Sequence, residues 1–165
     1  MNKSVRQYIG LFSAIVVYYV IHEGAHLIYA LCIGVFKQIN FMGLGIQIDV
    51  YADQMTSGQL GVFCIVGSIA TTIVSYVLVI FANKIKDMPW KCFRACMYYI
   101  TIAMLLLDPL YLSLICGMFG GGDMNGISLL IPESAARIGY GVLLVVNIVT
   151  FFKVVLPKYK LGFEH

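Results

Sequence analysis

The sequence predicts an all-α membrane protein: about four transmembrane helices, a short β-hairpin at the membrane edge, and a broken, re-entrant segment that carries an aspartate. Three observations predict it. The chain is 61% hydrophobic and only 12% charged, with a mean hydropathy of +0.90, well above the apolar share of a soluble domain. Four apolar runs reach the roughly 20 residues that a helix needs to cross a bilayer. Between the runs, one connection alternates apolar and polar residues and another is rich in glycine. With 165 residues there is room for a single membrane-embedded domain, 1–165, and a net charge of +3 is too small to suggest nucleic acid.

The first run covers about residues 8–35 and contains IHEGAHLIYA. It is too long for a secretory leader and has no small-residue cleavage pattern, so it is read as mature structure. FKQINFMGLGIQIDVYADQMTSG follows, and its alternation around Gly43 and Gly45 predicts the hairpin. The second run, about 61–82, is almost free of ionisable side chains, and a polar turn, NKIKDMPWK, ends it. The third, about 92–119, is expected to be interrupted at Asp108-Pro109. GMFGGGDMNGISLLIPES then suits a loop that dips back toward the interior, followed by a short helix. The last run spans about 136–155. Backbone polar groups cannot face lipid unpaired, so each run is expected to be helical wherever lipid touches it.

Basic residues orient the chain. Lys3 and Arg6 precede the first run, Lys84, Lys86, Lys91 and Arg94 surround the polar turn, and Lys153, Lys158 and Lys160 follow the last. Short basic loops stay in the cytoplasm, so a multi-pass protein of a bacterial cytoplasmic membrane is expected, with both termini cytoplasmic. Five scattered cysteines form no zinc pattern and read as small apolar side chains.

His22-Glu23-Gly24-Ala25-His26 spells H-E-x-x-H inside the first run. Residues four apart share a helical face, so both imidazoles can reach one tetrahedral zinc ion, with Glu23 beside them as general base. A structural histidine pair would leave Glu23 unexplained, because an unpaired charge at that depth costs about 2.5 kcal/mol or more. A catalytic zinc takes three protein ligands. His165 lies at the tail, so a carboxylate is expected as the third, and Asp108 and Asp123 are the candidates. At ~1.5 Å per helical residue, His22 lies ~21 Å and Asp108 ~24 Å into their runs, which favours Asp108. Asp123 sits in GGGDMNGI, where glycines permit a close backbone approach.

Taken in order, HEGAHLIYALCIGV, FMGLGIQI, VGSIATTIV and GGGDMNGI resemble the site-2 protease family of intramembrane zinc metalloproteases over about residues 8–135. The resemblance implies His22, His26 and Asp123 as ligands of one zinc ion, Glu23 as the catalytic base, and Asp108 as a group that orients a ligand or replaces one. Gly67-Ser68-Ile69-Ala70-Thr71 stands where many members carry Gly-Pro-x-Ala-Asn, which implies a substrate contact at Thr71. The implied activity is hydrolysis of transmembrane or membrane-associated peptides, with an extended substrate received along the hairpin near Gly43 and Gly45. A zinc hydrolase acting on lipid, or a non-hydrolytic zinc-binding chaperone or transporter, are the alternatives.

Overall fold

The computed structural model describes residues 2–42 and 45–164, so expectations that fall on Gly43 and His165 lie outside the described residues. The chain folds as α1 (Lys3–Cys32), β1 (Phe36–Met42), β2 (Gly45–Val50), α2 (Ser57–Lys86), α3 (Lys91–Leu110), α4 (Asp123–Ile127), α5 (Glu133–Thr150) and α6 (Leu156–Glu164). Four helical stretches, Lys3–Cys32, Ser57–Lys86, Lys91–Phe119 and Glu133–Lys160, are long and apolar enough to cross a membrane. Their surface is apolar, as contact with lipid would require. Phe12, Ile28, Ile80 and Ile138 point outward, while Ser68, Thr71, Ser75, Thr101, Asp108 and Asn147 are buried.

Local chemistry sets the boundaries. α1 stops at Cys32, short of the expected Val35, because Gly34 adopts a φ of 75°. Its N–H bonds the Leu31 carbonyl and that of Val35 bonds the Ala30 carbonyl at 3.0 Å, the paired closure that lets a helix end without stranded carbonyls. α2 starts on a reciprocal cap, in which Thr56 Oγ1 accepts from the Gln59 N–H at 3.2 Å and the Gln59 side chain accepts from the Thr56 N–H at 2.9 Å. Lys84 and Lys86 close α2 against its negative end.

The third run does not break where the sequence suggests. α3 passes straight through Asp108-Pro109 and continues as a π-helical turn over Tyr111–Ile115 and a 3₁₀ turn over Cys116–Phe119. Proline cannot bond the carbonyl four residues back, but Asn147 Nδ2 on α5 donates to that Leu105 carbonyl at 2.6 Å, and Asn147 Oδ1 accepts from Tyr76 on α2 at 2.7 Å. One buried amide thus joins α2, α3 and α5. The real break comes at Gly120, Gly121 and Gly122, whose φ values of 78°, 90° and 51° are all positive. Side-chain-bearing residues resist that region, so three glycines together turn the chain back toward the bundle.

What the turn delivers is α4. Met124 and Ile127 are buried with Phe63, Cys64 and Leu112 in one apolar cluster, and Gly126 lies so close to α2 that a Cβ there would strike Cys64. The expected hairpin forms as an antiparallel pair that closes at Met42↔Gly45. β2 is the strand that packs against α1 more extensively.

Candidate metal centre

The centre is built from one face of α1, the middle of α2, the end of α3 and the first residue of α4. His22 and His26 stack one turn apart on α1, both buried. Their Nε2 atoms lie 3.1 Å apart; Asp123 Oδ2 lies 3.2 Å from His22 Nε2 and 3.6 Å from His26 Nε2. A tetrahedral zinc with bonds of 2.0–2.1 Å requires ligand atoms about 3.3–3.4 Å from one another. These three atoms form such a triangle, so the donor set and its spacing fit a single metal ion.

The opposite ring nitrogens fix the proton positions. His26 Nδ1 lies 2.7 Å from the Phe63 carbonyl oxygen, an atom that only accepts, so Nδ1 carries the hydrogen. His22 Nδ1 lies 3.2 Å from Asp108 Oδ1. Asp108 is itself buried and also accepts from the Tyr18 hydroxyl and the Thr71 hydroxyl, so His22 likewise donates through Nδ1. Both Nε2 lone pairs therefore aim at each other and at a carboxylate oxygen. Three acceptors meeting at one point repel unless a proton or a cation lies among them, and orienting partners of this kind are what a histidine–metal site uses. Tyr18 completes the arrangement, its ring stacked on His22 at 5.4 Å.

Room for an ion comes from α2. A Cβ on Gly67 would lie 2.5 Å from His26 Nε2 and 2.7 Å from His22 Nε2, closer than van der Waals contact allows. Ser68, next to it, bonds Tyr140 of α5 at 2.6 Å and holds this face of α2 in register.

Glu23 is half-buried beside the histidines, and its Oε2 accepts the Ile48 N–H of β2 at 3.1 Å. In an antiparallel ladder a residue's N–H and C=O point either to the partner strand or away from it. Because the Ile48 N–H goes to Glu23, the main-chain groups of Ile48 and of Ile46, two residues before it, face away from β1. Both residues line a cavity of about 330 Å³ that also contains Glu23, His22, His26 and Asp123. The edge of β2 that faces away from β1 thus runs along the wall of the candidate metal centre, with its Ile48 N–H held by Glu23. The hairpin is braced outside by Lys37 Nζ and Asp49 Oδ2, 3.0 Å apart. The hydrogen bond from Lys37 pulls the Asp49 carboxyl below the ordinary carboxylate range, and the same bond lifts the Lys37 ammonium.

The sequence-derived candidates fall into three groups. His22, Glu23, His26 and Asp123 are brought together. Asp108 sits behind His22 and lies outside the converging triangle. Thr71 is fully buried with its hydroxyl on Asp108, away from the cavity wall, so its place is behind the ligands; Gly45 begins β2 at the closed end of the hairpin. Sequence reasoning passed over Gly67 as the cradle wall, the Phe63 carbonyl and the Ile48 N–H. The latter two are main-chain groups, to which side-chain identity gives no clue.

The chain matches no family model, no curated protein and no solved structure. The functional reading therefore rests on this geometry and on the motifs in the sequence.

Proposed function

We propose that the chain is an intramembrane zinc metalloprotease that hydrolyses peptide bonds of membrane-embedded or membrane-associated substrates, as its resemblance to the site-2 protease family implies. The observation that carries the proposal is the triangle of His22 Nε2, His26 Nε2 and Asp123 Oδ2 at tetrahedral spacing with Glu23 alongside. Zinc held there would supply Lewis acidity to a water molecule and to the scissile carbonyl. Glu23 takes the proton from the attacking water and gives it to the departing amine nitrogen. Asp108, steadied by Tyr18 and Thr71, keeps the His22 ring in its ligating tautomer.

The edge of β2 that faces away from β1 favours a peptide over a lipid. A helical peptide bond is shielded by its own hydrogen bonds, so a substrate has to unwind before attack, and the edge at Ile46, which lines the cavity, offers main-chain partners to the unwound segment while the Ile48 N–H stays with Glu23. The basic end of the bundle, with both termini, faces the cytoplasm in this reading.

The test is zinc analysis and cleavage of membrane peptides by the purified chain, with Glu23→Gln and Asp123→Ala alongside. Glu23→Gln is expected to keep zinc and lose about 10²–10⁴-fold in turnover; Asp123→Ala is expected to lose the metal. Full activity of Glu23→Gln on a cellular substrate would point to a non-hydrolytic zinc protein, and ester hydrolysis of lipid without peptide cleavage to a lipid hydrolase.

A further inference from the structure

A second and larger cavity, about 540 Å³, lies at the opposite end of α1 from the hairpin. It is walled by the start of α1, the start of α3 and the beginning of α6. Lys3, Arg6, Lys91 and Lys160 line it together with Tyr98 and Tyr159, and no acidic side chain does so among the described residues. Arg94, next to the lining residue Ala95, is buried with its Nε and Nη2 unpartnered among the described residues. Every Lys and Arg of the chain except Lys37 and Arg137 lies toward this end.

Lys3, Lys91 and Lys160, drawn from three helices around one volume, repel one another, and an anion removes that cost. The position identifies the anion's source. The cavity opens where the membrane-spanning helices end, which is the level of the phospholipid headgroups, and Leu156, Tyr98 and Tyr159 give it an apolar wall beside the charges. Basic pockets between helix ends bind anionic headgroups in this way, and tyrosine suits the same interface. A volume of this size is ordinary for a small-ligand site.

We infer that this cavity is a binding site for the phosphate-bearing headgroup of an anionic phospholipid from the adjoining leaflet. The site shares no lining residue with the metal centre and its existence does not depend on hydrolysis. A bound lipid would tie the start of α1, which carries both histidines further along, to α3 and α6.

The experiment is native mass spectrometry of the purified full chain equilibrated with equal amounts of phosphatidylglycerol and phosphatidylcholine. Retention of phosphatidylglycerol is expected to exceed that of phosphatidylcholine by at least about tenfold. The preference should vanish in Lys3→Gln/Arg6→Gln/Lys91→Gln/Lys160→Gln, weaken in the milder Lys91→Gln/Lys160→Gln, and return in Lys91→Arg/Lys160→Arg. A control of equal charge change at the same end, Lys84→Gln/Lys86→Gln/Lys153→Gln/Lys158→Gln, should keep it. Equal retention of the two lipids, or equal loss in the control, would overturn the proposal. Displacement of the lipid by equimolar glycerol 3-phosphate or inorganic phosphate would overturn it too, by showing a site for soluble phosphate.

Discussion

Gly67 illustrates how a residue without a side chain shapes the chemistry. Its missing Cβ leaves the space beside the Nε2 atoms of both imidazoles, the two nitrogens that meet the Asp123 carboxylate. Gly67→Ala should improve the intrinsic helix propensity of α2 by about 1 kcal/mol and still abolish metal binding, because the methyl group takes the ion's place. Metal content measured beside helical circular dichroism separates these effects; an alanine variant that binds zinc as the wild type does would contradict the geometry. Asp108 shows the complementary case. It looked like a ligand by depth, yet three donors converge on it and it contributes through His22.

At the scale of elements, the hairpin and the triple-glycine turn do work that the spanning helices cannot. The Ile46 N–H points away from β1, so Ile46→Pro removes a donor from the free edge of β2 while sparing the ladder to β1. Peptide cleavage is expected to fall by about tenfold or more, as loss of a substrate hydrogen bond and of strand shape would cause, with zinc content unchanged. A variant that cleaves normally would remove the strand from the mechanism. The hairpin also has a pH signature. Asp49 titrates below its ordinary value when folded and Lys37 above its own. The pair's contribution is therefore complete between about pH 4 and pH 10, lost as pH falls through the lowered Asp49 value and lost again as it rises through the raised Lys37 value. Amide exchange across β1 and β2 should quicken at both extremes in the wild type. In Lys37→Gln/Asp49→Asn that dependence should flatten once the intrinsic exchange rate is divided out.

For the whole molecule, polar side chains inside and apolar ones outside mean that interhelical hydrogen bonds help to hold the bundle together. Asn147 is the clearest of these, linking the carbonyl freed by Pro109 to Tyr76. Asn147→Ala should destabilise the bundle by about 1 kcal/mol, read as an earlier unfolding transition in detergent titration. Metal affinity should change little, because Asn147 makes no contact in the metal centre. The spans were legible because apolar length is a property of composition, and the histidine face was legible because helical periodicity fixes residues four apart. The interruption at Asp108-Pro109 was misread because a helix can survive proline when a neighbour satisfies the freed carbonyl, and that neighbour lies 42 residues further along the chain.

The sequence by itself determined four spanning-length helices, a hairpin between the first two, and a helix face on which His22, Glu23 and His26 sit together, since each depends only on local order and spacing. Between Asp108 and Asp123, left open by depth and local sequence and given to Asp123 by the family resemblance, tertiary structure puts Asp123 beside both Nε2 atoms and Asp108 behind His22. The choice depended on where three consecutive left-handed glycines send the chain and on how closely α4 seats against α2, and neither is encoded in the spacing of the acidic residues from the histidines.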